Sequence, residues 1–130
     1  MVLCFLGVGH EAILETRRVL AAFVVLFLWG MLHMLIHEIG HVLAAWMVGS
    51  KVLQVGMSKL GPFVRRTSAK TPRRNAFVAL AGPGINILTW AAFTIHALPN
   101  AWVALYIGLL NLLPLPNSDF TKSMEYLKSI

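Results

Sequence analysis

The chain has 130 residues, 58% of them hydrophobic and only 12% charged, with a mean hydropathy of +0.73. That balance excludes an ordinary soluble globular domain and points to an integral membrane protein, long enough for one small bundle and no second domain. The net charge of +6 does not signal nucleic-acid binding, because seven of the eleven basic residues (Lys51, Lys59, Arg65, Arg66, Lys70, Arg73, Arg74) crowd into one acid-free segment whose single aromatic is Phe63.

In chain order, residues 9–18 read as a short polar helix at the membrane surface. A first span runs from Val19 to about Gly49, longer than the roughly 20 residues a crossing helix needs, so it either tilts or projects past the bilayer. It contains no Lys, Arg or Asp, and Glu38 is its only acid. Within it lies His37-Glu38-Ile39-Gly40-His41. Residues four apart share one helix face, so His37 and His41 can grip a single metal ion, and Glu38 can take a proton from a water held there. Two imidazoles, a base and an open coordination position are the parts of a zinc hydrolase. A chance match on a solvated helix is the bland alternative. It is weak in a membrane span, where an ionisable group costs on the order of a few kcal/mol and is by default functional.

The basic segment 50–75 follows, and its charge puts it on the cytoplasmic side. Residues 51–66 suit a hairpin at the membrane face, with the turn at Gly61-Pro62 and the return strand starting at Phe63-Val64. Thr67 to Asn75 reads as a basic linker. A second span covers 76–98 and carries Ala81-Gly82-Pro83-Gly84-Ile85-Asn86 near its start. The glycines allow close helix approach and the proline a kink. Asn86 is either an interhelical hydrogen-bonding residue or part of a catalytic centre. His96 to Asn100 forms an outer turn. A third span, 101–118, is helical to about Leu113, where Pro114 and Pro116 break it inside the bilayer. Asp119 then comes level with the histidine pair, and a carboxylate is a normal third zinc ligand. The expected fold is thus an all-α membrane protein, a single domain over 1–130, with a three-transmembrane-helix core and a small membrane-associated β-hairpin. Its expected place is the cell (inner) membrane, multi-pass and in contact with lipid. Cys4 is the only cysteine, so no internal disulfide forms.

HEIGH on a membrane helix, AGPGIN near the start of a later span and NLLPLPNSD after a third together resemble the site-2 proteases, intramembrane zinc metalloproteases. The three motifs occur in family order over roughly residues 30–120. The resemblance implies that His37, His41 and Asp119 bind Zn2+, that Glu38 is the general base, and that Asn86 and Asn111 lie at or near the active centre. It also implies that the hairpin holds a transmembrane protein substrate extended. The family usually has Gly after the aspartate, where this chain has Phe120. The expected activity is zinc-dependent hydrolysis of a peptide bond in or near a transmembrane segment. Two rivals remain. One is a non-catalytic small subunit of a larger membrane complex with a structural or vestigial metal site. The other uses the stripe of His33, His37 and His41 to hold a transition metal or a metallated cofactor. The bland reading of His33 is a bundle histidine bonded to a backbone carbonyl.

Overall fold

The computed structural model describes residues 2–59 and 61–129, with side chains from residue 12 onward. The chain is mostly helical: α1 (Val2–Met47), β1 (Val52–Ser58), β2 (Gly61–Arg66), α2 (Pro72–Ile95), α3 (Trp102–Leu112) and α4 (Asp119–Lys128). Two stretches are long and apolar enough to cross a membrane, Ala12–Met47 of α1 and α2, whereas α3 is a shorter apolar helix. At 11 residues α3 is about 17 Å long, about half the hydrocarbon thickness.

The polar stretch 9–18 is not a separate surface helix. It continues into α1 without a break, because it contains neither Gly after residue 9 nor Pro to stop the ladder. At 46 residues α1 is about 69 Å long. Among the residues whose side chains are described, only those of its second half are packed. Residues 12–28 are all exposed, while His33, His37, Gly40, Ala44 and Ala45 are buried. Their spacing of three or four residues makes one stripe, and the stripe is built of imidazoles and small residues rather than bulky apolar ones. Small residues let helix backbones approach closely in a membrane protein, where lipid leaves no hydrophobic drive between helices. Ala44 and Ala45 pack on Val78 of α2, with Val48, Val52 and Ala81 around them. Gly40 is required here: a Cβ on it would lie 2.7 Å from the Ala81 carbonyl oxygen.

The inner end of α1 closes in a Schellman motif. The Ser50 N–H donates to the Ala45 carbonyl (2.8 Å) and the Gly49 N–H to the Trp46 carbonyl (3.1 Å). Gly49 takes φ +76°, the left-handed conformation this cap needs. At the other end of the packed region, Trp29 Nε1 donates to the Pro99 carbonyl at 3.0 Å. That bond fixes the α2–α3 turn beside Trp29. From Trp29 to its last residue, Met47, the helix covers about 27 Å, close to the ~30 Å of a hydrocarbon core.

The strands pair antiparallel, Val55 with Val64, Gly56 with Phe63 and Met57 with Pro62. The turn therefore lies before Gly61, which pairs with Ser58, and Gly61-Pro62 opens the return strand. Gly61 supplies the positive φ (+121°) that leads out of the turn, and Pro62 sits near the end of the ladder, where a missing N–H is tolerated. A Cβ on Gly61 would meet the terminal methyl of Met34 at 2.5 Å, so the hairpin's tip reaches past Glu38 along α1. β2 is the strand chiefly packed on α1, and Leu53, Val55 and Met57 of β1 are exposed.

The stretch 67–75 is ordered rather than a loose linker. Thr71 caps α2 by accepting from the Arg74 N–H, and Pro72 takes the first helical turn, where its lost donor costs nothing. Asn75 Oδ1 accepts from Ala69 N–H (2.8 Å) and from Arg66 Nη1 (2.9 Å), tying β2 to α2. The second span ends at Ile95, three residues before the predicted Leu98. After α3 the chain is irregular to Ser118, and its carbonyls are satisfied locally. Ser118 Oγ donates to Leu113 O (2.7 Å) and Thr121 Oγ1 to Leu115 O (2.9 Å). Ser118 then caps α4, which the sequence reading left out, by accepting from the Thr121 N–H.

Candidate metal centre

Three elements converge on one point. His37 and His41 come from successive turns of α1, their rings at 85° with centroids 4.8 Å apart. Asp119 comes from the first residue of α4. His37 Nε2 lies 2.8 Å from Asp119 Oδ2, His41 Nε2 3.4 Å from the same oxygen, and the two Nε2 atoms 3.2 Å from each other. Ligand atoms around a tetrahedral zinc with bonds of about 2.0–2.1 Å sit roughly 3.3 Å apart. Two edges of the triangle match that spacing, the His37–Asp119 edge is about half an ångström shorter, and the fourth corner of a tetrahedron is left open. His37 and Asp119 are buried. Donor atoms of His37, Glu38 and His41 also lie within 4.8 Å of one another, a group that could hold a metal ion. Asp119 completes the tighter triangle, and Glu38 stands beside it as an adjacent carboxylate.

The outer nitrogens test whether these residues fit a cation. His41 Nδ1 lies 2.7 Å from the Val78 carbonyl oxygen. A carbonyl only accepts, so Nδ1 carries the proton and Nε2 keeps its lone pair for a metal. His37 Nδ1 lies 3.2 Å from Asn86 Nδ2, while Asn86 Oδ1 is buried with no partner. Turned by 180°, the same amide presents Oδ1 to a protonated Nδ1. That satisfies the orphaned oxygen and frees the Nε2 lone pair of His37 as well. The donor set therefore suits a divalent cation better than it suits itself. Gly82 cradles the site from α2: a Cβ there would stand 2.5 Å from His41 Nε2 and 2.6 Å from His37 Nε2. Lys122 Nζ lies 3.7 Å from Asp119 Oδ1, and the N-terminus of α4 adds a favourable dipole for that carboxylate.

Three cavities meet this centre. One of 240 Å³ between α1 and α3 is lined by Met34, His37, Glu38, Ile107, Leu110 and Asn111. Asn111 is thus beside Glu38 rather than in the ligand triangle, and its Nδ2 donates back to Ile107 O at 3.0 Å. A second, of 390 Å³, separates the hairpin from α1 and also has Glu38 in its wall. A third, of 420 Å³, opens beside His41 and Asp119.

His33 does not join the donor group. It is fully buried, and neither ring nitrogen has a partner among the described residues, so the expected bond to a backbone carbonyl is not seen there. The reason is its company: Trp29 and Phe93 each place a ring centroid 5.6 Å from the His33 ring. Sequence reasoning did not single out Gly82 as a wall of the site, nor the Val78 carbonyl. A glycine level with a histidine pair was the available signal for the first; a backbone carbonyl leaves none.

No family, curated protein or solved structure matches this chain.

Proposed function

We propose that this chain is a zinc-dependent intramembrane endopeptidase of the site-2 protease kind, with His37, His41 and Asp119 as ligands and α3 as the third, half-length span of its core. The observation that carries the reading is the triangle of Nε2, Nε2 and Oδ2 atoms with Glu38 beside it. His37, His41 and Asp119 would hold the zinc, which when bound would supply Lewis acidity for the scissile carbonyl and for water near pH 7. Glu38 accepts the water proton and returns it to the leaving amine. Asn86 holds His37 in the ligating tautomer, and Asn111, in the cavity with Glu38, donates to the substrate carbonyl as it gains charge. A substrate helix hides its carbonyls and has to unwind. The hairpin offers backbone partners for the unwound strand along its unpaired edge, within reach of the 390 Å³ groove that Glu38 lines.

The positive segment between the two spanning helices argues for a cytoplasmic hairpin end and an inner-membrane protein bathed in lipid. One observation favours a second reading, a metal-bearing subunit of a larger membrane complex: residues 12–28 are apolar in large part and exposed throughout. Two measurements on the full chain in mild detergent separate the readings. The peptidase binds one zinc per chain, loses it in His37→Ala or His41→Ala, and cleaves a membrane-helix peptide. A wild-type preparation without zinc or a comparable metal refutes both readings; zinc with no cleavage of any membrane-helix peptide favours the subunit.

A further inference from the structure

The 420 Å³ cavity beside His41 and Asp119 is unlike the other two that meet the centre, because its wall carries Arg65, Arg66 and Lys122 and its only acid is Asp119. Asp119 is a single carboxylate against those three cations, so the wall keeps a net positive charge. Arg66 is committed to structure, donating to Thr67 O and Asn75 Oδ1. Arg65 is not, and Lys122 has its ion pair with Asp119 alone. Arg65 is exposed, its guanidinium 5.8 Å from the Phe63 ring centroid, with no carboxylate paired to it among the described residues. Lys122 is half-exposed, and its nearest carboxylate is Asp119 itself at 3.7 Å. Glu125, one turn along α4, does not line the cavity. The positive-inside rule explains why the segment is basic, but not why a cavity that opens on the ligand atoms is walled by three cations and one carboxylate.

Val64 of β2 lines both this cavity and the apolar groove at Glu38, so the two adjoin along one strand. A peptide held extended along that strand advances about 3.3 Å per residue. It would pass from an apolar groove at the scissile bond into a cationic chamber within about two to four residues. We infer that the chamber is a subsite for a carboxylate side chain, and that the substrates are membrane segments bearing an Asp or Glu just cytoplasmic of the cleaved bond. This rests on the peptidase reading and narrows it to a substrate class.

The test uses the full chain in vesicles of uncharged lipid, with three synthetic membrane-helix peptides that differ only in two residues on the cytoplasmic flank: acidic, amide or basic. The wild type cleaves the acidic peptide about 10-fold faster in kcat/KM than the amide one, the size of one contact to a charged group, and the basic one slowest. Arg65→Glu combined with Lys122→Glu reverses the order, which loss of folding would not do. Equal rates for all three peptides, or an order unchanged by the charge reversal, overturns the subsite. So does a preference that appears only when anionic lipid is added, which would assign the cations to lipid phosphates. Binding of the same peptides to Glu38→Gln, followed by crosslinking, keeps the two ideas apart. Charge-ranked binding with no cleavage by the wild type retains the chamber and rejects the peptidase. Cleavage without charge ranking does the reverse.

Discussion

Along α1, residues 12–28 and residues 29–47 belong to one unbroken helix and both are apolar in large part, yet they are buried very differently. The outer part is exposed throughout, with Phe23 and Phe27 at 69% and 67% exposure. The inner part buries His33, His37, Gly40, Ala44 and Ala45 against α2 and its neighbours. The buried residues are the less hydrophobic ones. In lipid, a leucine gains little by leaving its surroundings for another helix, so association follows close backbone approach and polar contacts. Hydropathy therefore marks where a chain enters the bilayer and says little about where the protein folds. The polar and small exceptions mark that.

The sharpest way to break the comparison is at Glu38, the one carboxylate within the packed half. Glu38→Gln keeps nearly the same shape and removes the proton acceptor. Cleavage should fall by about 100- to 10,000-fold while zinc content is unchanged. Mutant and wild-type rates that coincide would take Glu38 out of the mechanism.

The next effect belongs to Gly82, where α2 meets the ligand pair. In Gly82→Ala the new methyl would sit within 2.6 Å of both Nε2 atoms, and rings held by Val78 and Asn86 have little room to retreat. Zinc affinity, read by competition with a chromophoric chelator, should drop about 100-fold, the upper end for changes around a metal site. An unchanged affinity would mean that the ligand triangle is looser than its distances imply. Asn86→Leu is gentler. It fills the same volume but leaves His37 Nδ1 without an acceptor, so the affinity should fall about 10-fold. A rise instead would show that the amide only packs the helices.

These sites were not equally legible in the sequence. His37, Glu38 and His41 are a local pattern, since four residues make one helical turn and the chemistry is written within it. Asp119 lies 82 residues from His37 and was reachable only by tracking the direction of three spans and the proline break after Leu113. The hairpin was legible by composition, but its turn was not, because Gly61-Pro62 is a turn signal that here serves as a strand entrance. The shift moves the tip by two residues, enough to bring Gly61 onto Met34. α4 was missed because its ten residues are polar and its start is fixed by the Ser118 cap, a signal weak beside two prolines. The missing partner of His33 had no signal at all: aromatic neighbours at positions 29 and 93 meet only in the folded bundle.

The smallest expected effect tests the comparison from its quiet side. Phe23→Ala with Phe27→Ala removes two large side chains from the outer half of α1. In a soluble core each such loss costs about 3–5 kcal/mol. Here both side chains face solvent, lipid or detergent in the folded and the dissociated bundle alike, so the change in stability should stay within about 0.5 kcal/mol. Ala45→Leu on the inner half adds volume where exposure is zero, and overpacking there should cost about 1–3 kcal/mol. Both variants are read in the same experiment, reversible unfolding of the purified chain in detergent followed by the fluorescence of its tryptophans. A large loss in the phenylalanine variant would mean that the outer half is covered after all. Concentration dependence of that loss would identify the cover as another copy of the chain, because only association makes stability depend on protomer concentration. In that event the exposed half of α1 would be an interface, and the unequal burial of one uniform helix would record the absence of its partner rather than a division of labour along it.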